Sequence, residues 1–155
     1  MSKTILLLRH AEEPEDQDNM DLSEAGRARA EMLASFILET FGQPDFIFAS
    51  APTDSSVRTY LTMRPLADAV GRRIDGSYKT REFAALASKL MADPMFDDKR
   101  IVVCWTHHEL PALAASLHVR RKDFPERWGE SVFDLIFSLI YKSDVRPKVK
   151  SVKQG

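Results

Sequence analysis

The sequence has 155 residues, a formal net charge of −1 and 29% charged residues. This length fits one domain with its own hydrophobic core, and the charge balance excludes a global signature of nucleic-acid or membrane binding. The single cysteine, Cys104, excludes an internal disulfide and a cysteine-based zinc motif, and its apolar surroundings predict a buried, inert thiol. No apolar stretch reaches the length of a signal-peptide core or a membrane span, so we expect a cytoplasmic protein without a membrane partner.

A short apolar run near the start leads directly to two polar side chains. Residues 5–8 are four unbroken aliphatics, and Arg9 and His10 follow at once. Such a run is typical of a strand buried on both faces at the centre of an α/β sheet. Ligands of these sheets bind at the carboxyl ends of the strands, so Arg9 and His10 would point into that crevice. The alternative is a strand end whose polar side chains merely reach solvent.

Apolar periodicity predicts an alternation of strands and helices along the chain. Aliphatic and aromatic runs predict strands at residues 5–8, 46–49, 101–105 and 132–141, with a brief edge strand within 74–80. Apolar residues at helical spacing predict helices at residues 25–41, about 55–70, 83 to about 93, and about 110–117. The alternation indicates an α/β fold, in the form of a three-layer α/β/α sandwich around a mostly parallel central sheet.

Two charged segments stand apart from this alternation. Residues 12–24 contain seven acidic residues and no basic one, which predicts a solvated loop in which Asp21 or Ser23 caps the next helix. Residues 142–155 contain five Lys or Arg, one Asp and no hydrophobic period. We therefore expect one domain over residues 1–141, followed by a basic, mobile tail over residues 142–155.

Residues that suit an anion collect at the predicted strand ends. The strand at 101–105 is followed closely by His107 and His108, and Arg58 lies in the first turns of the second helix. Arginine carries a fixed fork of donors, histidine can act as a nucleophile or proton carrier near neutral pH, and helix N-termini favour anions. Together with the Arg-His pair after the first strand, this set would suit a phosphoryl group.

A metal site is the rival interpretation. His10, His107 and His108 are all possible metal ligands. A metal site would usually add carboxylates or thiolates to the imidazoles, whereas a neighbouring arginine repels a cation. The sequence therefore favours a phosphate site over a metal site.

Four segments, taken in chain order, match the motifs of one enzyme superfamily. Residues 8–12, Leu-Arg-His-Ala-Glu, resemble an Arg-His-Gly signature, and residues 22–27, Leu-Ser-Glu-Ala-Gly-Arg, resemble a Leu-(Thr/Ser)-Glu-x-Gly pattern. Arg58 with residues 62–67 resembles a helix that carries a second arginine, and residues 102–107 resemble a strand that delivers a second histidine. In these motifs the chain resembles the histidine phosphatase superfamily, which includes the cofactor-dependent phosphoglycerate mutases.

This resemblance implies roles for five residues. His10 would attack phosphorus and form a phosphohistidine intermediate, which water would then hydrolyse. Arg9, Arg58 and His107 would hold the phosphoryl oxygens and stabilise the charge of the transition state. His107 is preferred to His108 because the family places its second histidine directly after Ser or Thr at the strand end.

The chain departs from the family pattern at two positions. Ala11 replaces the usual glycine, which narrows the space beside the phosphate. The segment from Ser50 to Arg58 is longer than the usual Ser-Pro-x-x-Arg, so the position of Arg58 depends on a loop.

The general acid is assigned by position alone. Many family members carry a Glu shortly after the helix of the second arginine, and Glu82 has a similar place. A solvated residue in the first turn of the third helix is the alternative, because acidic side chains are favoured there. Glu109, Glu12 and Glu13 are the rival candidates.

The resemblance implies a phosphatase that needs no cofactor and acts on a phosphorylated small molecule or a phosphoprotein. The chain is short for the family and lacks room for a cap over the site. The alternatives are a protein phosphohistidine phosphatase, whose imidazole leaving group needs less help from an acid, and a catalytically weak phosphate-binding module. A phosphoglycerate mutase is least favoured, because the acidic loop would repel a small polyanion.

Overall fold

The computed structural model of the chain describes residues 2–16, 19–53, 56–142 and 145–154. Its strands are β1 (Lys3–Arg9), β2 (Phe46–Ala49), β3 (Ile74–Asp75), β4 (Arg100–Trp105), β5 (Leu135–Tyr141) and β6 (Lys148–Lys153). Its α-helices are α1 (Glu24–Thr40), α2 (Arg58–Val70), α3 (Phe83–Ala92) and α4 (Leu110–Ser116). The four predicted helices are therefore confirmed. The predicted start of α2 at Ser55 lies outside the described residues, and β5 begins at Leu135 rather than at Val132.

The six strands form one sheet in the order β3-β2-β4-β1-β5-β6. The pairs β1–β4, β2–β4 and β2–β3 are parallel, whereas β1–β5 and β5–β6 are antiparallel. The predicted edge strand is confirmed as β3, although it spans only Ile74–Asp75. The mostly parallel sheet of the predicted fold is confirmed.

Both faces of the sheet are covered by helices, which makes the fold a three-layer sandwich. Leu6 and Leu8 pack with residues of α1 and α2 on one face, and Ile5 and Leu7 pack with residues of α3 and α4 on the other. Cys104 is fully buried, which confirms the predicted burial of its thiol, and burial raises the pKa of that thiol. None of the helices in the described ranges has both the length and the apolar character needed to cross a membrane.

The expected mobile tail is wrong for residues 148–153, which form strand β6 along β5. Its lysines are exposed and Val149 and Val152 are half-buried, a composition typical of a protected sheet edge. The backbone N–H of Gln154 donates to the carbonyl oxygen of Asp134 at 2.7 Å. With only two apolar residues, β6 carries no alternating hydrophobic pattern, so periodicity did not predict it. The sheet therefore extends beyond the predicted domain end at residue 141.

Candidate active site

The ends of β1 and β4 bring the two Arg/His-containing segments together. These strands are parallel neighbours, and Arg9 lies opposite Trp105 in their register. The chain therefore leaves the sheet side by side at His10 and Thr106, and His107 follows one residue later. Parallel pairing is what places two segments about a hundred residues apart at the same sheet edge.

The backbone after His10 is held in place by the start of α1. Both the backbone N–H and the hydroxyl of Ser23 donate to the carbonyl oxygen of Glu12, at 2.9 and 3.2 Å. The same Ser23 hydroxyl caps α1 by accepting from the N–H of Gly26, which confirms one of the two predicted caps. A Cβ at Gly26 would lie 2.2 Å from the carbonyl oxygen of Glu12. The Ser-Glu-Ala-Gly motif thus fixes the exit of β1, and its glycine is needed for close approach.

Ala11, where the family has glycine, fits without backbone strain. Among the described residues, only Asp98 and His118 are non-glycine positions with positive φ. Ala11 is buried, and its N–H donates to Oγ1 of Thr62 at 2.9 Å. That hydroxyl in turn donates to the carbonyl oxygen of Arg58, so α2 is tied to the exit of β1.

His10 is held as a neutral imidazole with one free nitrogen. Its side chain is buried, and Nδ1 lies 2.7 Å from the carbonyl oxygen of Ala11. Because a carbonyl oxygen only accepts, Nδ1 carries the proton and Nε2 keeps its lone pair. Burial lowers the pKa of His10, and the charges of Arg9 and Arg58 lower it further, although the bond to Ala11 opposes them. The arrangement provides an unprotonated Nε2 at neutral pH.

Arg9 is buried, and its guanidinium is hydrogen-bonded by a segment far along the chain. Its Nη1 donates to the backbone carbonyl oxygens of Gly129, Glu130 and Val132, and its guanidinium lies 4.0 Å from the ring centroid of Phe133. Burial lowers the pKa of Arg9, and nearby glutamates oppose that shift. These contacts fix the guanidinium while its Nε, among the described residues, has no hydrogen-bond partner.

Arg58 is the first residue of α2 and reaches back to the acidic loop. Its Nε donates to the carbonyl oxygen of Asp21 at 3.2 Å, and its Nη2 donates to that of Asn19 at 2.6 Å. Its Nη1 lies 3.3 Å from Oε2 of Glu13. The position of Arg58 is therefore set by the loop after β1 as well as by its helix.

His107 contributes a second neutral imidazole. Burial and the neighbouring Arg9, His108 and His10 lower the pKa of His107 to about 4. Its Nε2 and the hydroxyl of Thr106 are buried, and neither has a hydrogen-bond partner within the described part of the chain. A buried polar atom without a partner costs free energy. Together with Arg9 Nε, these two atoms make three such atoms in one region of the described chain.

These side chains line one cavity of about 630 Å³. Its lining includes four of the predicted site residues, further charged and polar residues, and one proline: Arg9, His10, Arg58, His107, His108, Thr106, Ser56, Glu13, Glu15, Glu130 and Pro14. A buried arginine and a half-buried one beside two neutral histidines can bind a tetrahedral anion and present a nitrogen nucleophile to it.

The predicted general acid does not join this group. Glu82 is not among the described residues that line the cavity. Its side chain is exposed and accepts from the backbone N–H of Lys79 at 2.8 Å, as a cap of the turn before α3. Glu12 is held by Nε of Arg29 at 2.8 and 2.9 Å, and Glu109 is the N-cap residue of α4, outside the described lining. Of the four candidates, Glu13 is the one in the cavity.

The described residues offer no set of ligands for a metal ion. Within the described residues, no three His, Cys, Asp or Glu side chains form a group that could hold a metal ion. The expectation that the site works without metal stays a prediction.

The segment from Gly129 to Phe133 is the part of the site that sequence reasoning missed. It supplies the carbonyl oxygens and the ring that hold Arg9, and Glu130 lines the cavity. Only Glu130, its second residue, hinted at a charged surface, and nothing in the spacing of the segment pointed to a residue 120 positions earlier.

Solved structures share this architecture, although no family model and no curated protein matches the sequence. The protein histidine phosphatase SixA in complex with tungstate is 11% identical, with a TM-score of 0.74 over 97% of each chain. A mycobacterial glucosyl-3-phosphoglycerate phosphatase is 19% identical, with a TM-score of 0.68 over 100% of both chains. Phosphoglycerate mutase from Plasmodium falciparum is 12% identical, with a TM-score of 0.67 over 97% of this chain and 89% of that one. The chain thus has the fold of the histidine phosphatases.

Proposed function

We propose that this protein is a member of the histidine phosphatase superfamily that hydrolyses a phosphate ester through a phosphohistidine on His10. The observation that carries the proposal is the bond between Nδ1 of His10 and the carbonyl oxygen of Ala11. It leaves Nε2 unprotonated in a cavity that Arg58 and His107 also line. A neutral nitrogen nucleophile next to donors for an anion is the combination that phosphoryl transfer requires.

In the first step, the lone pair of His10 Nε2 forms a bond to phosphorus. The bond between phosphorus and the leaving oxygen breaks, and its electron pair stays on that oxygen, which takes up a proton. Arg9 and Arg58 donate to the phosphoryl oxygens, and His107 lies beside them. Each charge-assisted hydrogen bond contributes about 1.5–3 kcal/mol.

In the second step, water attacks the phosphorus of the phosphohistidine. The P–N bond breaks and its electron pair returns to Nε2 of His10, the Glu13 carboxylate takes a proton from the attacking water, and inorganic phosphate forms and leaves. The bond from Nδ1 to Ala11 keeps the same ring nitrogen free for the next cycle.

In its protonated form, Glu13 is the acidic side chain placed best to donate the proton to the leaving oxygen, and this donation leaves it as a carboxylate. It lines the cavity, whereas Glu82 caps the turn before α3. General acid catalysis contributes about 10²–10⁴-fold to the rate for an alkoxide leaving group.

A protein phosphohistidine phosphatase is the second candidate function. Its imidazole leaving group departs without strong acid catalysis, which suits a site in which the expected acid, Glu82, lies away from the cavity. The fold similarity to the protein histidine phosphatase SixA supports the same alternative. A catalytically weak phosphate-binding module is the third.

The deciding experiment incubates the purified protein with p-nitrophenyl phosphate, a panel of alkyl phosphates and a phosphohistidine protein. We expect phosphate release and an acid-labile phosphoenzyme after rapid quenching at high pH. Release from the phosphohistidine protein alone would favour the second candidate. Phosphate binding without turnover of any substrate would leave only the binding module.

A further inference from the structure

The cavity carries two zones of opposite charge. Arg9 and Arg58 are the inner zone, since their side chains are only 1% and 12% exposed. Glu13 is 44% exposed, and Glu15 and Glu130 are exposed as well. All five residues line the same cavity. The two arginines form its inner, anion-binding floor, and the three exposed glutamates form its acidic mouth.

Glu13 links the two zones. Its Oε2 lies 3.3 Å from Nη1 of Arg58, and its Oε1 lies 4.0 Å from Nη2 of Arg9. A phosphoryl group that binds both arginines must take over these contacts, because the same guanidinium faces serve either anion. Binding therefore releases the Glu13 carboxylate from its cations and leaves it next to a second anion.

A released carboxylate beside a phosphoryl group repels it unless a proton or a cation compensates the charge. Glu15 and Glu130 add negative charge at the same mouth, and the nearest arginines are occupied by the phosphoryl group in this state. An anionic leaving group would add to the repulsion, whereas a cationic neighbour on the substrate would remove it. The free floor is nonetheless built for an anion, since buried Arg9 retains an unpartnered Nε among the described atoms.

We propose that the substrate carries its phosphoryl group on a side chain within a lysine- or arginine-rich segment of a protein. This proposal rests on the proposed function and names its substrate class. The acids of the mouth come from two separate segments, at Glu13–Glu15 and at Glu130, so several cations of one polypeptide can be engaged at once. A small phosphate ester with one cationic group has the same combination of charges, but it can contact fewer of the acidic side chains at the mouth.

The test compares kcat/KM for matched peptides that differ only in their flanks. Each peptide carries a central phosphoserine or a chemically phosphorylated histidine, flanked by lysines, glutamines or glutamates. We expect the lysine-flanked peptide to be hydrolysed about tenfold faster than the glutamate-flanked one, as two or three exposed ion pairs allow. The ratio should shrink as salt is raised, because exposed charges are screened.

Two variants test whether the acidic mouth causes the difference in kcat/KM between the lysine-flanked and glutamate-flanked peptides. The double change Glu15→Gln and Glu130→Gln should reduce it to about threefold or less. Glu39→Gln is the matched control, because Glu39 is an exposed acid near the end of α1 and does not line the cavity. It should leave the ratio unchanged.

The outcomes separate this inference from the function on which it rests. Hydrolysis of p-nitrophenyl phosphate with equal or reversed peptide preference would overturn the inference alone, as would a ratio that the double variant does not change. O-phosphoethanolamine and glycerol phosphate form a second arm. If the former is preferred over both glycerol phosphate and the basic peptide, the assignment to a protein substrate is wrong. No turnover and no phosphoenzyme with any substrate would overturn the proposed function itself.

Discussion

Oε2 of Glu13 lies 3.3 Å from Nη1 of Arg58, so a carboxylate already occupies part of the space proposed for a phosphoryl group. Under the proposed function, substrate binding at this site would exchange one anion for another rather than fill an empty pocket. The affinity for phosphate then reflects the difference in free energy between the arginine–phosphate and arginine–Glu13 ion pairs. Substitution of Glu13 is therefore the most direct test of this exchange.

Glu13→Gln should tighten the binding of inorganic phosphate by about 1.5- to 5-fold. The amide keeps the shape of the side chain but no longer competes for Arg58 as an anion, and exposed ion pairs contribute about 0.2–1 kcal/mol. Isothermal titration calorimetry with phosphate measures the change, with Glu39→Gln as the control. If Glu13 is also the general acid, turnover of an alkyl phosphate falls by about 10²-fold or more while p-nitrophenyl phosphate is affected less. An unchanged Kd for phosphate would show that the carboxylate does not compete.

His10→Ala should abolish the phosphoenzyme and lower kcat by about 10³-fold or more. The side chain ends a strand and its ring bonds to the adjacent Ala11 carbonyl, so the sheet itself does not depend on it. Circular dichroism and thermal unfolding verify that the variant is folded before activity is compared. Hydrolysis at close to the wild-type rate in a folded variant would rule out the covalent mechanism.

Glu82→Gln should change the turnover of alkyl and aryl phosphates alike, by no more than about threefold. The carboxylate caps the turn before α3 through the N–H of Lys79. The amide oxygen of Gln can accept the same bond, so the loss of stability should stay below the cost of about 0.5–2 kcal/mol for a lost cap. Kinetics with an alkyl phosphate and p-nitrophenyl phosphate, together with a thermal unfolding curve, measure both effects. A selective loss of about 10²-fold for the alkyl substrate would instead restore Glu82 as the general acid.

The free protein should lose stability as the pH falls from about 6.5 towards 4, in part through His107. Its pKa is about 4 in the folded protein and about 6.5 when unfolded, so the unfolded state binds more protons in this window. Stability from a neutral histidine is therefore present above that window and lost on acidification. Because His107 is partly exposed, its contribution to the change in the free energy of unfolding is limited to about 1 kcal/mol.

Urea unfolding at pH 7.5 and pH 5 measures this loss. His107→Gln cannot take up the proton, so the loss of stability between the two pH values should be smaller in that variant. Added phosphate should reduce the loss in the wild-type protein, because a bound anion stabilises the protonated imidazole. Parallel pH profiles for the two proteins would contradict this assignment.

Gly26→Ala should destabilise the fold by about 1–3 kcal/mol, the usual cost of overpacking. A Cβ at this position would lie 2.2 Å from the carbonyl oxygen of Glu12, and the backbone there leads directly from His10. Activity should fall with stability because the exit of β1 must shift. Gly76→Ala is the matched control, since its Cβ would meet atoms no closer than 3.6 Å. Equal unfolding curves for the two variants would show that α1 does not constrain this exit.

The sequence alone determined the strands and helices of the core and the position of His10, the proposed nucleophile, at the end of a central strand. Residues 5–8 and 101–105 are apolar enough to be buried on both faces, which makes β1 and β4 neighbours at the sheet centre. Because such strands end at one edge, Arg9, His10 and His107 could be expected together. The motif that ends in Gly26 marked a close approach of α1 to that edge. Such features are local, since periodicity records which face of an element is buried.

Only the tertiary structure decided which acid and which partners complete the site. Glu82 has the expected place in the chain, yet its carboxylate turns to the backbone of Lys79, while Glu13 reaches the arginines. The carbonyl oxygens that hold Arg9 come from a segment 120 or more positions later, and β6 forms only because β5 offers an edge to pair with. Loop side chains and edge strands are positioned by contacts between distant segments, and these contacts leave no period in the sequence.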